Sequence, residues 1–171
     1  MEVLSVIMER RSIRNFEDKQ VSREAVDKLI EALLWAPSAG NLQSRKFYFV
    51  TEAAIRQKLA MAAYGQGFIA RAPLVVVACA DKETVSGRYG RRGVELYCVQ
   101  DATLSAMCMM LEACELGLGS VWVGAFNEKD VSKALELPED FRPVAILPVG
   151  YPLIVPDAPA RVRAEEAVIF K

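Results

Sequence analysis

The chain has 171 residues, 53% of them apolar, so it is long enough to bury one substantial core and too short for two ordinary domains. Its 21 basic and 22 acidic residues leave a net charge of -1, which excludes an overall basic field that would hold nucleic acid or an anionic membrane. The histidine count of zero excludes Ser-His-Asp and Cys-His nucleophile pairs, histidine–zinc sites and the commonest general base. If the protein is an enzyme, we expect a bound cofactor to supply the chemistry.

The apolar segments favour a soluble protein. The start, MEVLSVIMERR, places its arginines after a short apolar run, unlike a secretory signal. The longest apolar run, residues 72–80, is about half as long as a membrane-spanning helix. The cysteines lie in apolar surroundings without C-x-x-C spacing, which is typical of buried thiols in a reducing cytosol; they are Cys79, Cys98, Cys108 and Cys114. We expect a cytoplasmic protein that binds neither nucleic acid nor a membrane and holds no metal.

The first half of the chain predicts helices and strands in alternation. A short helix over residues 2–9 runs into a basic loop, RRSIRNF, at 10–16. Ser22 caps a second helix, whose apolar residues repeat with a 3.6-residue period and which Pro37 ends. After a loop, we expect a strand over KFYFVT, a helix from Thr51 to about Ala63, and a strand over 74–80. Because that last strand lacks polar alternation, it should be covered on both faces, in the middle of the sheet.

The second half of the chain predicts one long helix among shorter elements. Residues 81–93, charged and glycine-dotted, indicate a mobile surface loop. The helix from Val94 to Leu116 ends at Gly117, and its middle is apolar on every side, so either a partner subunit covers its second face or it threads the core of one subunit. The remaining predictions are a strand over 121–126, a helix capped by Asn127 through about Leu137, a strand over 143–152, and a poorly packed arm over 153–171 whose AVIF could add a strand to a neighbour. Together the elements predict an α+β or α/β fold around one sheet.

Two loops carry candidate binding residues. The basic loop presents Arg10, Arg11, Ser12 and Arg14, and guanidinium forks beside a hydroxyl suit a phosphate. A second basic pair, Arg161 and Arg163, lies in the tail and can join this loop only through folding. The simpler interpretation of the basic loop is cations that lie in solvent just past a helix C-terminus.

The second loop, APSAGNLQ, carries the primary amides of Asn41 and Gln43. In an extended segment the two would face the same way and match a heteroaromatic edge of alternating carbonyl and N–H groups. The alternative is an Asx-type turn at Asn41 with Gln43 merely exposed. By contrast, GQGFIA at 65–70 matches a dinucleotide fingerprint only by composition, because a helix precedes it and a strand follows; we interpret it as a turn.

In these motifs the chain resembles the nitroreductase family of FMN-dependent oxidoreductases. Five short segments carry the resemblance in the right order, nearly end to end: RRSIRNF, APSAGNLQ, GLGSVWVGAF, LPVGYP and ARVRAEE. The resemblance implies an α+β homodimer with a central mixed sheet, the long helix at the dimer interface, FMN in two shared clefts, and a C-terminal arm over the partner subunit.

The resemblance also implies roles for particular residues. Arg10, Ser12 and Arg14 match positions at the FMN phosphate, and Arg161 and Arg163 match the phosphate contacts of the arm. Gly124 and Ala125 match the strand end whose N–H approaches the flavin N5, and Gln66 is similar to a ribityl or ring contact. The loop that reaches the ring from the partner is matched by Pro37, Ser38, Ala39, Asn41 and Gln43. Ser44 and Arg45 stand where the family often has Pro and Trp, which changes the packing beneath the ring or the charge at the cleft mouth.

We therefore expect a single-domain, homodimeric flavoenzyme over residues 1–171. It would take a hydride from NAD(P)H onto FMN and reduce a nitroaromatic, quinone or related acceptor by a ping-pong mechanism, with no side chain as acid or base. The alternatives are an FMN-binding or storage protein without turnover, a relative with specialised flavin chemistry, and a domain that binds another phosphorylated small molecule. The physiological acceptor, the preference between NADH and NADPH, and the role of the 81–93 loop stay open.

Overall fold

A computed structural model of the chain describes residues 2–171. One four-stranded sheet has the order β1-β2-β4-β3. Its strands are β1 (Arg45–Val50), β2 (Leu74–Asp81), β3 (Gly119–Ser120) and β4 (Phe141–Gly150). The helices are α1 (Val3–Glu9), α2 (Arg23–Trp35), α3 (Ala53–Ala62), α4 (Phe68–Arg71), α5 (Lys82–Arg92), α6 (Cys98–Glu115), α7 (Glu128–Leu135) and α8 (Ala164–Ala167).

The sheet is covered on both faces, and β2 supplies both cores. Leu74, Val76 and Ala78 face helices α2 and α6, whereas Val75 and Val77 face the layer of α3 and α7. The predicted central position of this strand is confirmed. Among residues 2–171 all three strand pairings are antiparallel, and the parallel pairing of the expected mixed sheet is limited to the isolated bridge between Ser12 and Ser120 of β3.

Polar caps place the helices much as the sequence predicts. The hydroxyl of Ser22 accepts the N–H of Ala25 at 3.2 Å, and α2 ends before Pro37. The side chain of Asn127 accepts two N–H groups at the start of α7. The GQGFIA segment lies between α3 and β2, so its interpretation as a turn rather than a dinucleotide fingerprint is confirmed, with the single turn of α4 inside it.

The prediction of a mobile loop at 81–93 is wrong, because most of the segment is helix α5. Asp81 caps this helix by accepting the N–H of Thr84 at 3.1 Å, and Val85 is fully buried under it. Gly90 interrupts the helix with a φ of 52°. The charged residues and glycines of this segment are typical of a loop, which is why the helix was not predicted. The helix forms because its charged side chains face solvent while Val85 is buried against the sheet.

The predicted helix from Val94 to Leu116 begins as a π-helical turn, Gly93–Tyr97, and continues as α6. Gly117, at a φ of 71°, ends it. Most of its apolar middle packs inside this chain, including Met109 and Met110, but Leu104 and Met107 are 45% and 37% exposed.

The predicted strand over 121–126 is also wrong for most of its length. Within residues 119–126, only β3 pairs continuously with β4, and Val123 forms a single bridge with Ile146. Beyond that bridge the backbone leaves the sheet, so Gly124 and Ala125 are exposed.

The tail over 153–171 is exposed along its whole length, as predicted for an arm that packs poorly in isolation. Its apolar side chains include Val162, Ile169 and Phe170, the last of them 94% exposed. Addition of AVIF as a strand to a neighbour stays a prediction.

Candidate functional site

The basic loop lies along the outer edge of the sheet, beside β3. Ser12 pairs in parallel with Ser120, and the N–H of Ile13 donates to the Ser120 carbonyl at 3.0 Å. Ile13 is 3% exposed and anchors the loop, because its side chain packs where any Cβ at Gly119 would clash. The loop is therefore a fixed part of the fold.

Residues from distant parts of the chain join the basic loop at this edge. Gln66 Nε2 donates to the carbonyl of Ala125 at 3.2 Å and to that of Ala63 at 3.0 Å. The guanidinium carbon of Arg14 lies 5.9 Å from the centre of the Phe68 ring. We call this set the edge cluster; it consists of Arg10, Ser12, Arg14, Gln66, Phe68, Ser120, Gly124 and Ala125.

The edge cluster holds several uncommitted donors. Within residues 2–171, Arg10 and Arg14 form no ion pair, and the N–H groups of Gly124 and Ala125 have no backbone acceptor. The hydroxyl of Ser120 is buried without a hydrogen-bond partner. Arg14, Gly124 and Ala125 are exposed, so their donors are open to a ligand, and among the described residues of this cluster the buried Ser120 hydroxyl is the one group that lacks a partner altogether. The arrangement suits an anionic, hydrogen-bonding ligand.

Arg11 differs from its neighbours. Its Nη1 donates to three carbonyls at the C-terminus of α1, those of Met8, Glu9 and Arg10, at 2.6, 2.9 and 3.0 Å. A cation at a helix C-terminus satisfies orphan carbonyls and the helix dipole. Arg11 therefore fits the simpler interpretation of the basic loop, a cation just past a helix C-terminus. A ligand could bind the Arg11 guanidinium only in competition with these three carbonyls.

The amide loop, which we define as residues 37–43, is coiled rather than extended. Ala39–Asn41 form one 3₁₀ turn, and Gly40, Asn41 and Gln43 have φ angles of 55°, 57° and 56°. The N–H of Gln43 donates to the hydroxyl of Ser38 at 3.0 Å. Asn41 and Gln43 are both exposed, but the extended geometry on which their parallel arrangement depended is absent.

Three buried polar residues lie behind the amide loop; Asp101 was missed in the sequence, and Ser44 and Arg45 were noted there only as departures from the family pattern. Asp101, which is 2% exposed, accepts the N–H of Ala39 at 2.9 Å and the hydroxyl of Ser44 at 2.6 Å. Arg45 donates to the carbonyls of Leu34, Ala36 and Pro37 at 2.8–3.0 Å. The available signal was a carboxylate on the buried stripe of α6.

Arg45 is a structural residue here, not a charge at a cleft mouth. It is 5% exposed, and burial lowers the pKa of its guanidinium, while the nearby carboxylate of Asp101 opposes that shift. Five donors on a planar fork can satisfy several carbonyls at once, so Arg45 fastens the end of α2 to the amide loop.

The two arm arginines lie apart from the edge cluster in this chain. Arg161 donates to the carbonyls of Pro159 and Ala160, and Arg163 pairs with Glu166 at 2.8 Å. In the part of the chain that the structure describes, no hydrogen bond joins the edge cluster to the amide loop or to the arm. Folding of a single chain thus forms separate parts of the predicted site.

All four thiols are free, and burial raises the pKa of Cys79 to about 12, so this thiol stays protonated near neutral pH. Residues 2–171 contain no group of histidine, cysteine or acidic side chains arranged to hold a metal ion. The same residues contain no helix both long and apolar enough to cross a lipid bilayer.

A sequence model of the nitroreductase family matches residues 7–66 and 60–151. The chain belongs to the nitroreductase family. A relative from Archaeoglobus fulgidus, provisionally named NADH dehydrogenase/NAD(P)H nitroreductase, is 34% identical over 156 residues, which cover 88% of this chain and 86% of the relative.

Solved nitroreductase structures share the fold. An FMN-dependent nitroreductase from Clostridium difficile is 28% identical, with a TM-score of 0.84 and coverage of 98% of both chains. An NADPH:FMN oxidoreductase from Vibrio harveyi, complexed with NAD+, is 26% identical, with a TM-score of 0.91 and coverage of 98% of this chain and 76% of that one.

Proposed function

We propose that this nitroreductase-family protein is a homodimeric, FMN-dependent oxidoreductase that takes reducing equivalents from NAD(P)H and passes them to a nitroaromatic, quinone or related acceptor. The relatives' names support the flavin and the nicotinamide donor. The observation that carries the proposal is the edge cluster, which combines guanidiniums without ion pairs on the basic loop with the N–H groups of Gly124 and Ala125, which have no backbone acceptor among residues 2–171. When bound there, FMN would supply the redox chemistry, which fits the lack of histidine in the chain.

The basic end of the edge cluster suits the FMN phosphate. Arg10 and Arg14 carry charges that no carboxylate in residues 2–171 neutralises, and each can donate two parallel hydrogen bonds to phosphate oxygens. Ser12 adds a hydroxyl on the same rigid loop. Arg161 and Arg163 would join from the arm once it docks, and Arg11 would support the loop through α1.

The other end of the edge cluster suits the polar ring of the flavin. The free N–H groups of Gly124 and Ala125 would donate to acceptors on the ring, and such donors stabilise negative charge that develops there. The bond from Gln66 to the Ala125 carbonyl fixes this backbone.

The amide loop would reach the same ring from the partner subunit. Its Pro37, Ser38 and Ala39 would provide the contact surface, and the exposed amides of Asn41 and Gln43 the hydrogen bonds. Exposed apolar side chains on α1 and α6 support a dimer, because their burial in a subunit interface would remove apolar surface from water. They are Val3, Leu4, Ile7, Met8, Leu104 and Met107. We further propose that residues 1–171 act as one domain, since both cores share β2 and β4, and that the protein works in the cytoplasm.

An exposed flavin face would admit donor and acceptor in turn, which is why we propose ping-pong kinetics and no side chain as acid or base. The rival functions are FMN binding without turnover and specialised flavin chemistry. NADPH oxidation with menadione or nitrofurazone as acceptor separates them: we expect saturable turnover with parallel double-reciprocal lines. A yellow protein whose flavin is reduced by neither NADPH nor NADH would contradict the enzymatic function and leave only FMN binding.

Replacing Arg14 tests the phosphate assignment. We expect Arg14→Ala to weaken FMN binding by about ten-fold or more, the order expected for a lost charge-assisted hydrogen bond. Flavin fluorescence quenching measures the dissociation constant. Arg23→Ala is the matched control, because Arg23 is exposed on α2 and paired with Asp27. Full FMN affinity in Arg14→Ala would refute the assignment, and Arg14→Lys separates charge from the contact with Phe68.

A further inference from the structure

A second cationic surface lies outside the edge cluster, on α5 and the π-helical turn after it. The rings of Tyr89 and Tyr97 meet edge to face with centroids 5.2 Å apart. The guanidinium carbon of Arg88 lies 5.5 Å from the Tyr89 ring centre, and that of Arg92 lies 5.4 Å from the Tyr97 ring centre. We call these four residues the Arg–Tyr cluster.

The two arginines of the Arg–Tyr cluster have no acidic partner in the described chain. Arg91, between them in sequence, pairs with Glu95 at 2.6 Å, whereas Arg88 and Arg92 form no ion pair among residues 2–171. Arg92 Nε donates to the Tyr97 hydroxyl at 3.0 Å, which orients its guanidinium. Two oriented, unneutralised guanidiniums beside aromatic rings are a surface for a ligand with both phosphates and a flat ring.

This surface touches the amide loop. A Cβ on Gly40 would clash with the Tyr89 hydroxyl and lie 3.3 Å from the guanidinium carbon of Arg88. The same loop is bonded to α6 through Asp101, and α6 continues directly from the turn that holds Tyr97. The Arg–Tyr cluster is therefore fixed beside the loop that, under the proposed function, contacts the flavin ring.

We propose that the Arg–Tyr cluster binds the adenylate part of NAD(P)H, with Arg88 and Arg92 on its phosphates and a tyrosine ring beside the adenine. This rests on the proposed function and adds to it the residues that recognise the donor. A dinucleotide that presents its nicotinamide to the flavin must place its phosphates nearby, and the chain lacks the glycine-rich strand–turn–helix that binds them in other dehydrogenases. Binding energy from this remote part would position the reacting ring.

The test compares donors with and without the adenylate. Steady-state rates per bound flavin are measured for NADPH, NADH and reduced nicotinamide mononucleotide with Arg88→Gln, Arg92→Gln and the control Arg91→Gln. We expect each cluster variant to raise KM for NADPH by about ten-fold, from the loss of a charge-assisted contact, and to leave kcat and the mononucleotide's KM within about two-fold. Arg91→Gln should match the unmodified protein. The effect should shrink at high ionic strength.

Two results would overturn the inference. KM values for NADPH that stay unchanged in both variants mean that the arginines do other work, such as pairing with carboxylates of a second subunit, which a raised dimer dissociation constant would reveal. Equal KM increases for NADPH and the mononucleotide mean a general disturbance of the cleft. In both cases the proposed function stands. If no nicotinamide reduces the unmodified holoprotein, the proposed function fails and the inference fails with it.

Discussion

At the scale of residues, the amide loop is held in unfavourable backbone conformations by three buried side chains. Asn41 and Gln43 occupy the left-handed region, which non-glycine residues seldom adopt. Asp101 opposes that tendency by accepting the N–H of Ala39 and the hydroxyl of Ser44. Arg45 donates to the carbonyl of Pro37 in the loop and to two carbonyls just before it. Strained segments persist only where the surroundings over-determine them, and such segments concentrate at functional sites.

Replacing Asp101 tests this support. In Asp101→Asn, one of the two buried partners, the Ala39 N–H or the Ser44 hydroxyl, faces an amide N–H instead of an oxygen. We expect a loss of about 2 kcal/mol in the free energy of unfolding, the order of a buried charge-assisted hydrogen bond. For a chain of this size that corresponds to a decrease in Tm of about 6 °C.

Urea unfolding of the FMN-free protein measures the loss, with exposed Asp18→Asn as the control. FMN affinity should fall in parallel, because the loop loses its fixed shape. Stability equal to that of the control would show that the loop keeps its shape without the carboxylate.

At the scale of elements, a glycine in α5 and a glycine in the facing amide loop have different structural roles. Gly87 lies within the helix, and an added Cβ would meet nothing within 4 Å. Gly40, in the facing amide loop, has a positive φ and lies against Tyr89. Gly87 therefore affects stability only through its low helix propensity. At position 40, the positive φ and the close contact with Tyr89 require glycine.

Paired substitutions to alanine separate these cases. We expect Gly87→Ala to stabilise the protein by about 0.5–1 kcal/mol, because alanine loses less backbone entropy in a helix. Gly40→Ala should destabilise it by about 1 kcal/mol or more through the left-handed backbone and the contact with Tyr89. Thermal unfolding of the two variants side by side measures the difference, and equal shifts would mean that α5 is frayed or that Tyr89 moves freely.

At the scale of the whole molecule, no hydrogen bond among residues 2–171 joins the edge cluster to the amide loop, and the arm is exposed along its whole length. A second subunit would bring the edge cluster, the amide loop and the arm into one site, which is the reason for proposing a dimer. Burial of a large apolar side chain contributes roughly 1.5–3 kcal/mol. Ile169 and Phe170 are exposed in this chain, so their burial against a partner subunit would favour dimer formation.

The arm prediction follows from that driving force. We expect Ile169→Asp/Phe170→Asp to raise the dimer dissociation constant by at least about ten-fold and to lower FMN retention, measured by sedimentation equilibrium and visible absorbance. The control is Met61→Asp, which places one carboxylate at an apolar position on α3 that is 66% exposed and lies across the sheet from α6. A dimer that is insensitive to the arm substitutions would show that the arms pack elsewhere.

The sequence alone determined the features that depend on local pattern. Caps at Ser22 and Asn127, the doubly buried strand β2 and the exposed arm all follow from spacing and composition, because these effects act over a few residues. The shared motifs with nitroreductases were also readable, since each is a short contiguous segment.

The tertiary structure decided the features that depend on contacts between distant segments. Only folding puts Asp101 under residue 39, aligns Ser12 with Ser120, and turns a charged, glycine-dotted segment into α5. The predicted strand at 121–126 was wrong for most of its length, because the backbone after the Val123–Ile146 bridge leaves β4, and the Ala125 carbonyl accepts a hydrogen bond from Gln66 instead. Whether a polar group is buried depends on the segments that pack against it in the folded protein. Those segments are distant in sequence, so the neighbouring residues do not predict the burial.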